Sequence, residues 1–432
     1  MISKMRRVSD YKQLTKELPH IRYVDPEKVY INLTTSRCED YILNVKPGDA
    51  VRLGQILGEK DGCFFKQPIY STVSGTVEGV EKKIDGTGIE VECLVIRNDF
   101  QDTYDASITD RPDNVIEQMS QQDFVDIVRE KALVGLGGSG FPSYVKLATE
   151  EPIHTVVINA VECEPYLSSD YRLIHDQPDQ IFQGLSYVMK AVNAKSGVIA
   201  VKKTKKDLIN ILEREVKRYA HLDLRIAKLG DYYPQGWEIE TYKNALGIKV
   251  PSGVLPTKLG ILGFNVSTCA SIYDAVKHNM PITKRYLTIN GDAVKFPQSI
   301  RVRVGTLIKD LIKLCDGFTD DAEKVEMIIG GPMMGQAVDT QEVVVTPTTT
   351  SVLVFKSITD KEEPCVRCGS CVINCPVHIQ PVNIMNAYKR NDTLAMKQLE
   401  ANKCIECGLC AYVCTSKIHV TDYVRKAKAS IG

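Results

Sequence analysis

Two cysteine ladders near the C-terminus constrain this chain most. Cys365, Cys368 and Cys371 are followed by Cys375 and Pro376, and Cys404, Cys407 and Cys410 are followed by Cys414. Each ladder reads C-x2-C-x2-C-x3-C, the spacing by which thiolates hold [4Fe–4S] clusters. Three thiolates on one tight loop cap three irons of a cube, and the fourth cysteine of the ladder ligates the other cluster. The expected ligand sets are therefore Cys365, Cys368, Cys371 and Cys414 for one cluster, and Cys404, Cys407, Cys410 and Cys375 for the second. Zinc is the rival reading, because C-x2-C pairs also build zinc ribbons. Four-ligand zinc does not account for a triple that occurs twice with a spaced fourth member. The ladders predict a carrier of electrons.

Composition narrows the remainder. At 432 residues the chain has room for several domains, and its 54 basic and 54 acidic side chains cancel. A neutral balance argues against nucleic acid as the partner, since phosphate binding leaves a basic excess. Six cysteines outside the ladders (Cys38, Cys63, Cys93, Cys163, Cys269, Cys315) are scattered singly, which predicts free thiols in a reducing compartment. The opening residues are not followed by an apolar stretch, so no signal peptide is expected. No run approaches 18 apolar residues, so no membrane-spanning helix is expected either.

Four regions follow along the sequence. Residues 30–100 alternate β-rich runs with turns, such as Pro47-Gly48-Asp49 and Gly75, in two similar halves. From about residue 115 the pattern becomes α/β. An amphipathic helix over 122–131 carries Phe124, Ile127 and Val128 on one face, and β-branched runs at 155–159 and 197–201 read as buried parallel strands. Helices are expected at 178–194 and 207–219, and the lysine-rich run 202–206 reads as a solvated loop, with an anion-docking surface as the alternative. Strands at 285–291 and 299–305, followed by a helix at 306–314, suggest a small β-grasp module. The expected boundaries are a β barrel-sandwich module at 1–110, a Rossmann-like α/β domain at 111–283, the β-grasp module at 284–358 and an α-helical ferredoxin-type two-cluster domain at 359–432.

The second strong signal is a glycine loop. Gly135, Gly137, Gly138 and Gly140 fall within six residues, followed by Phe141, Pro142 and Lys146. Without Cβ atoms, such a backbone lets an anion or a flat ring come close. The strand that follows exits through Asn159, Glu162 and Glu164, at the carboxyl end where α/β sheets bind ligands. The loop departs from the dinucleotide fingerprint because no clear strand precedes it, and it lacks the Gly-Lys-Ser/Thr ending of a P-loop.

At these residues a family resemblance becomes specific. The two halves within 30–100 resemble a lipoyl/biotinyl barrel-sandwich, although the stretch 60–68 lacks that family's lysine–methionine tip, which favours a structural module over a swinging-arm carrier. The loop 135–142 and the exit 159–165 resemble the flavin-binding subunit of respiratory complex I. Nearly the whole chain, with segments 233–236, 250–256, 265–268 and 330–335, is similar to the RnfC component of Rnf electron-transport complexes. The resemblance implies FMN, with Gly135, Gly137, Gly138 and Gly140 lining its site, Lys146 at the phosphate or nucleotide, Asn159 and Glu162 at the ring or ribityl chain, and Asn265 and Thr268 at the phosphate end. It also implies that Phe141 stacks on NADH, that Lys146 and Glu164 position it, and that Glu238 occupies the family's acidic slot. Leu136 replaces an arginine of complex I, and Trp237, the only tryptophan, stacks on a ring or fills the core.

The implied circuit divides a hydride from NADH into single electrons for two [4Fe–4S] clusters, with no side chain acting as nucleophile or acid–base catalyst. The implied partners are NAD(H) and the other Rnf components, integral membrane subunits among them. The implied location is the cytoplasmic face of the bacterial inner membrane, peripheral and held by protein contacts. Two alternatives stand beside this reading: the related cobalamin reductase of bacterial microcompartments, and a non-enzymatic iron–sulfur wiring protein on a silent flavoprotein fold.

Overall fold

In a computed structural model of the chain, the structure describes residues 7–16, 22–36, 38–61, 65, 67–357 and 361–432. Four modules are packed in chain order. Two small antiparallel sheets make the first. One orders Lys28–Asn32, Glu90–Asn98, Gly75–Ile84 and Ala50–Val51, and the other orders Asp40–Leu43, Ile56–Asp61 and Gln67–Tyr70. Their inner faces share a core that includes Val29, Leu57, Val73 and Ile96, the sandwich that the alternating runs predict. Gly62, Cys63, Phe64 and Lys66 of the stretch 60–68 lie outside the described residues. Cys38 is disulfide-bonded, which corrects the expectation that all six non-ladder cysteines are free thiols.

The second module is a four-stranded parallel sheet in the order Asp223–Leu229, Ser196–Lys202, Thr155–Asn159, Ile261–Asn265. Apolar β-branched strands and flanking helices bury it on both faces, as parallel sheets require. The helix Gln121–Glu130 begins in a capping box, in which Ser120 and Asp123 satisfy each other's backbone amides. Helix Pro178–Ala191 crosses helix Val266–His278 so closely that a Cβ on Gly184 would stand 1.9 Å from the Cys269 carbonyl oxygen. The lysine-rich run is only in part the solvated loop expected of it. Lys203 and Lys206 are exposed, but Lys202 is buried and pairs with Asp231 at 3.1 Å, and Lys205 pairs with Asp10 at 2.7 Å.

The third module is a six-stranded mixed sheet that includes Lys284–Asn290, Gln298–Arg303 and Ser351–Lys356. The N-terminal strand Arg22–Val24 adds to its edge, parallel to Gln298–Arg303. The helix expected from 306 begins at Ile308, because the Thr306 hydroxyl donates back to the Arg303 carbonyl and holds a turn there. The fourth module packs helices Pro381–Lys389, Thr393–Gln398 and Val420–Ile431 around an apolar core that also takes in Cys375. Among the described residues, no helix is long and apolar enough to cross a membrane.

Candidate functional site

The parallel sheet ends at one cavity of about 1150 Å³. That exceeds the roughly 300–1,000 Å³ usual for a single small-molecule site, so it can hold two ligands side by side. Its floor is the glycine loop. The Gly135 amide donates to the Phe141 carbonyl at 2.8 Å and the Gly140 amide to the Gly135 carbonyl at 3.0 Å, which folds the loop into a compact ring. Gly138 (φ +101°) and Gly140 (φ +60°) hold left-handed backbone that favours glycine. A Cβ on Gly137 would crowd Asn265 at 3.1 Å, whereas the space around Gly138 is open. Leu136 is buried in the core, and its amide donates to the Thr268 hydroxyl at 3.0 Å.

The residues at the strand ends converge on the same cavity. Asn159, last in its strand, donates from Nδ2 to the Gly236 carbonyl at 2.8 Å and so anchors the turn that carries Trp237. Asn265 caps helix Val266–His278, accepting from the Ser267 amide at 2.8 Å and donating to Asp170 at 2.6 Å. The N-terminus of that helix, the positive end of its dipole, borders the cavity at Asn265 and Thr268. Lys146 donates to the Gly263 carbonyl at 3.0 Å and pairs with Glu238 at 3.3 Å, half-exposed above the Phe264 ring. Phe141 is 41% exposed at the mouth, edge-on to Phe65 with centroids 6.2 Å apart.

The acidic exit is more committed than the sequence suggests. One oxygen of Glu162 accepts from the Asp170 amide at 2.8 Å, and the other faces the Lys12 ammonium at 3.2 Å. Glu164 accepts from the Tyr233 hydroxyl at 3.0 Å and the Met333 amide at 3.1 Å. Burial pushes its carboxyl up to about 7, against the pull of those two donors and of Lys12. Burial, with Glu162 beside it, likewise raises Asp170 to about 6, while Asn265 and Ser267 oppose. Trp237 is half-buried and lines the cavity.

Sequence reasoning missed several residues in and behind this wall. Asp170, which lines the cavity, and Lys12, which is buried behind Glu162, carry no motif. The barrel-sandwich module contributes Lys60, whose ammonium is pulled down to about 8 by burial. The far wall includes Gly331 of the β-grasp module and Ile405, Glu406 and Cys407 of the second cysteine ladder.

That last contact ties the cavity to the cysteines. Cys375, Cys404, Cys407 and Cys410 line one small cavity with Pro376 and Thr421, although Cys375 is 29 or more positions away in sequence. Burial, reinforced by the neighbouring thiols, raises Cys407 and Cys410 to about 12, so the set resists ionisation until a cation draws the thiolates. Among the described residues, no three cysteine, histidine or carboxylate side chains close on a point as a single metal ion needs. The other ladder is more open. Cys365 and Cys368 are exposed, and Cys368 Sγ lies 3.9 Å from the Thr415 hydroxyl, beside Cys414.

Comparison with known proteins matches each module. Residues 7–101 match the RnfC barrel sandwich hybrid domain, 128–274 the Nuo51 FMN-binding domain, 286–337 the SLBB domain and 364–418 the 4Fe-4S dicluster domain. The fold resembles that of the NAD+-reducing [NiFe]-hydrogenase in its H2-reduced crystal structure, with a TM-score of 0.52 at 17% identity, over 74% of this chain and 64% of that one. A glycine cradle open at Gly138, a helix N-terminus for an anion and a small cavity lined by four thiols fit a flavin mononucleotide and iron–sulfur clusters. Together these define a flavin- and iron–sulfur-dependent oxidoreductase component.

The relatives are narrower. The chain is 37% identical to the RnfC component of the Na(+)-translocating ferredoxin:NAD(+) oxidoreductase complex of Acetobacterium woodii, over 88% of this chain and 85% of that protein. It is 33% identical to the same component of the proton-translocating ferredoxin:NAD(+) oxidoreductase complex of Clostridium ljungdahlii, over 86% and 81%. The chain belongs to the RnfC family.

Proposed function

We propose that this chain is the NAD-facing, electron-carrying component of an ion-translocating ferredoxin:NAD oxidoreductase complex. The observation that carries the reading is the single cavity whose floor is the glycine loop and whose far wall is Cys407. FMN held here would supply hydride exchange with NAD(H) and single-electron exchange with the clusters, chemistry that no side chain here can perform. The chain holds and shields that exchange. Gly135, Gly137, Gly138 and Gly140 leave room for the flat ring, and Asn159 and Glu162 present polar atoms at the strand ends. Asn265, Thr268 and the helix behind them receive the phosphate end. Phe141 at the mouth offers a face for the nicotinamide nucleotide, and Lys146 and Glu164 orient it. The cluster held by Cys375, Cys404, Cys407 and Cys410 borders the flavin cavity, and the one held by Cys365, Cys368, Cys371 and Cys414 meets the acceptor.

The relatives' names support a seat in a complex of several different proteins. The finer reading places this chain on the cytoplasmic face of the inner membrane, docked through protein contacts on integral membrane subunits. The test is anaerobic purification with flavin, iron and sulfide quantified, then titration with NADH. About one FMN and eight irons per chain are expected, with the flavin and iron–sulfur absorbance bleaching together. Iron without flavin, and no response to NADH, would leave an electron-wiring protein instead.

A further inference from the structure

The acidic exit that lines the flavin cavity is braced by a residue from outside the flavin domain. The N-terminal arm, residues 10–16, is fastened along the acidic exit. The Tyr166 amide donates to the Asp10 carbonyl at 2.7 Å, and Tyr11 stacks on Tyr166 with centroids 4.8 Å apart. The Ser168 hydroxyl bonds Thr15 at 2.7 Å. Between these fastenings Lys12 is 1% exposed, and its ammonium donates to the Glu162 carbonyl at 2.7 Å and reaches its carboxylate at 3.2 Å. Glu162 sits at φ +41°, a backbone conformation that non-glycine residues rarely adopt. A residue that is strained, lines a cavity and is held at both its backbone carbonyl and its side chain by one buried ammonium is over-determined, as site residues tend to be. Burying a lysine is costly unless it is paired, and burial does pull this one down, opposed by Glu162 and helped by Lys202 and Lys205. Asp170 fixes the second Glu162 oxygen through its amide, so the carboxylate has one available orientation.

We propose that Lys12 is a positioning residue of the flavin site, holding the Glu162 backbone and carboxylate in place beside the FMN ring and ribityl chain. The inference rests on the FMN reading of Glu162 given above. Its test is a double-mutant cycle on FMN binding to the deflavinated full chain, read by quenching of flavin fluorescence. Lys12→Met weakens FMN binding about tenfold, the order expected when a charge-assisted hydrogen-bond set is lost. Glu162→Gln weakens it similarly, and the double variant is no worse than either single one. Lys12→Arg restores most of the affinity. Multiplicative losses, or a Lys12→Met chain that binds FMN as the parent does, overturn the proposal. If Lys12→Met and Lys12→Gln both fail to fold while Glu162→Gln folds, Lys12 is an anchor of the fold and the proposal also falls. A parent chain that binds no FMN refutes the flavin reading itself, a result distinct from all of these.

Discussion

Glu164 shows how far one side chain's surroundings can shift its chemistry. Buried between the Tyr233 hydroxyl and the Met333 amide, it binds its proton up to about pH 7, whereas an unfolded glutamate releases it near 4.5. The folded state therefore holds more protons than the unfolded state between those values. The stability Glu164 contributes is full below about pH 4.5 and lost as pH rises towards 7. Relative to Glu164→Gln, which cannot ionise, the parent chain should lose on the order of 3 kcal/mol across that window. Thermal melts of both chains from pH 4.5 to 8 check this, and parallel curves contradict it. Tyr233→Phe removes a donor that favours the carboxylate and should move the parent's inflection to higher pH.

Elements are legible where their cause is local. The β-branched run at Thr155–Asn159 and the amphipathic face of Phe124, Ile127 and Val128 declare strand and helix unaided. Helix Val266–His278 is not legible in the sequence, because its small and polar residues blur the apolar stripe; Asn265 and Thr268 at its start stand out only through the family resemblance. It packs tightly on its neighbour, where Gly184 lets Pro178–Ala191 approach the Cys269 carbonyl. Gly184→Val should therefore separate the two helices and cost about 1–3 kcal/mol, read as a lower denaturation midpoint, and with it weaken FMN binding through Asn265. The buried lysines are illegible for the same reason. Nothing near Lys12 or Lys202 in sequence announces Glu162 or Asp231, their partners across the fold. Both ladders are readable because their spacing is itself the chemistry, whereas the glycine loop departs from the known fingerprints and its flavin is legible only through the family resemblance.

At the scale of the molecule, the modules matter for where they meet. The β-grasp loop at 330–335 sits between the flavin cavity and the second cysteine ladder. Met333 donates its amide to Glu164, and a Cβ on Gly408 would lie 2.3 Å from the Met333 carbonyl oxygen. Gly408 is also at φ +76°. Gly408→Val should thus push the cluster loop off that contact, slowing cluster reduction after NADH addition in rapid mixing, with flavin content and flavin bleaching unchanged. The crossed ligand sets make a second demand: Cys375→Ala should remove the cluster of the distant 404–410 triple and lower iron from about eight to about four per chain. The central claim is that the cluster at Cys404, Cys407, Cys410 and Cys375 stands between the flavin cavity and the exposed one. The most direct measurement is anaerobic rapid mixing of NADH with Cys404→Ser, followed by the spin signal of the remaining cluster. The account predicts that flavin bleaches at the parent rate while the Cys365, Cys368, Cys371 and Cys414 cluster stays oxidised. Reduction of that cluster at the parent rate would contradict it.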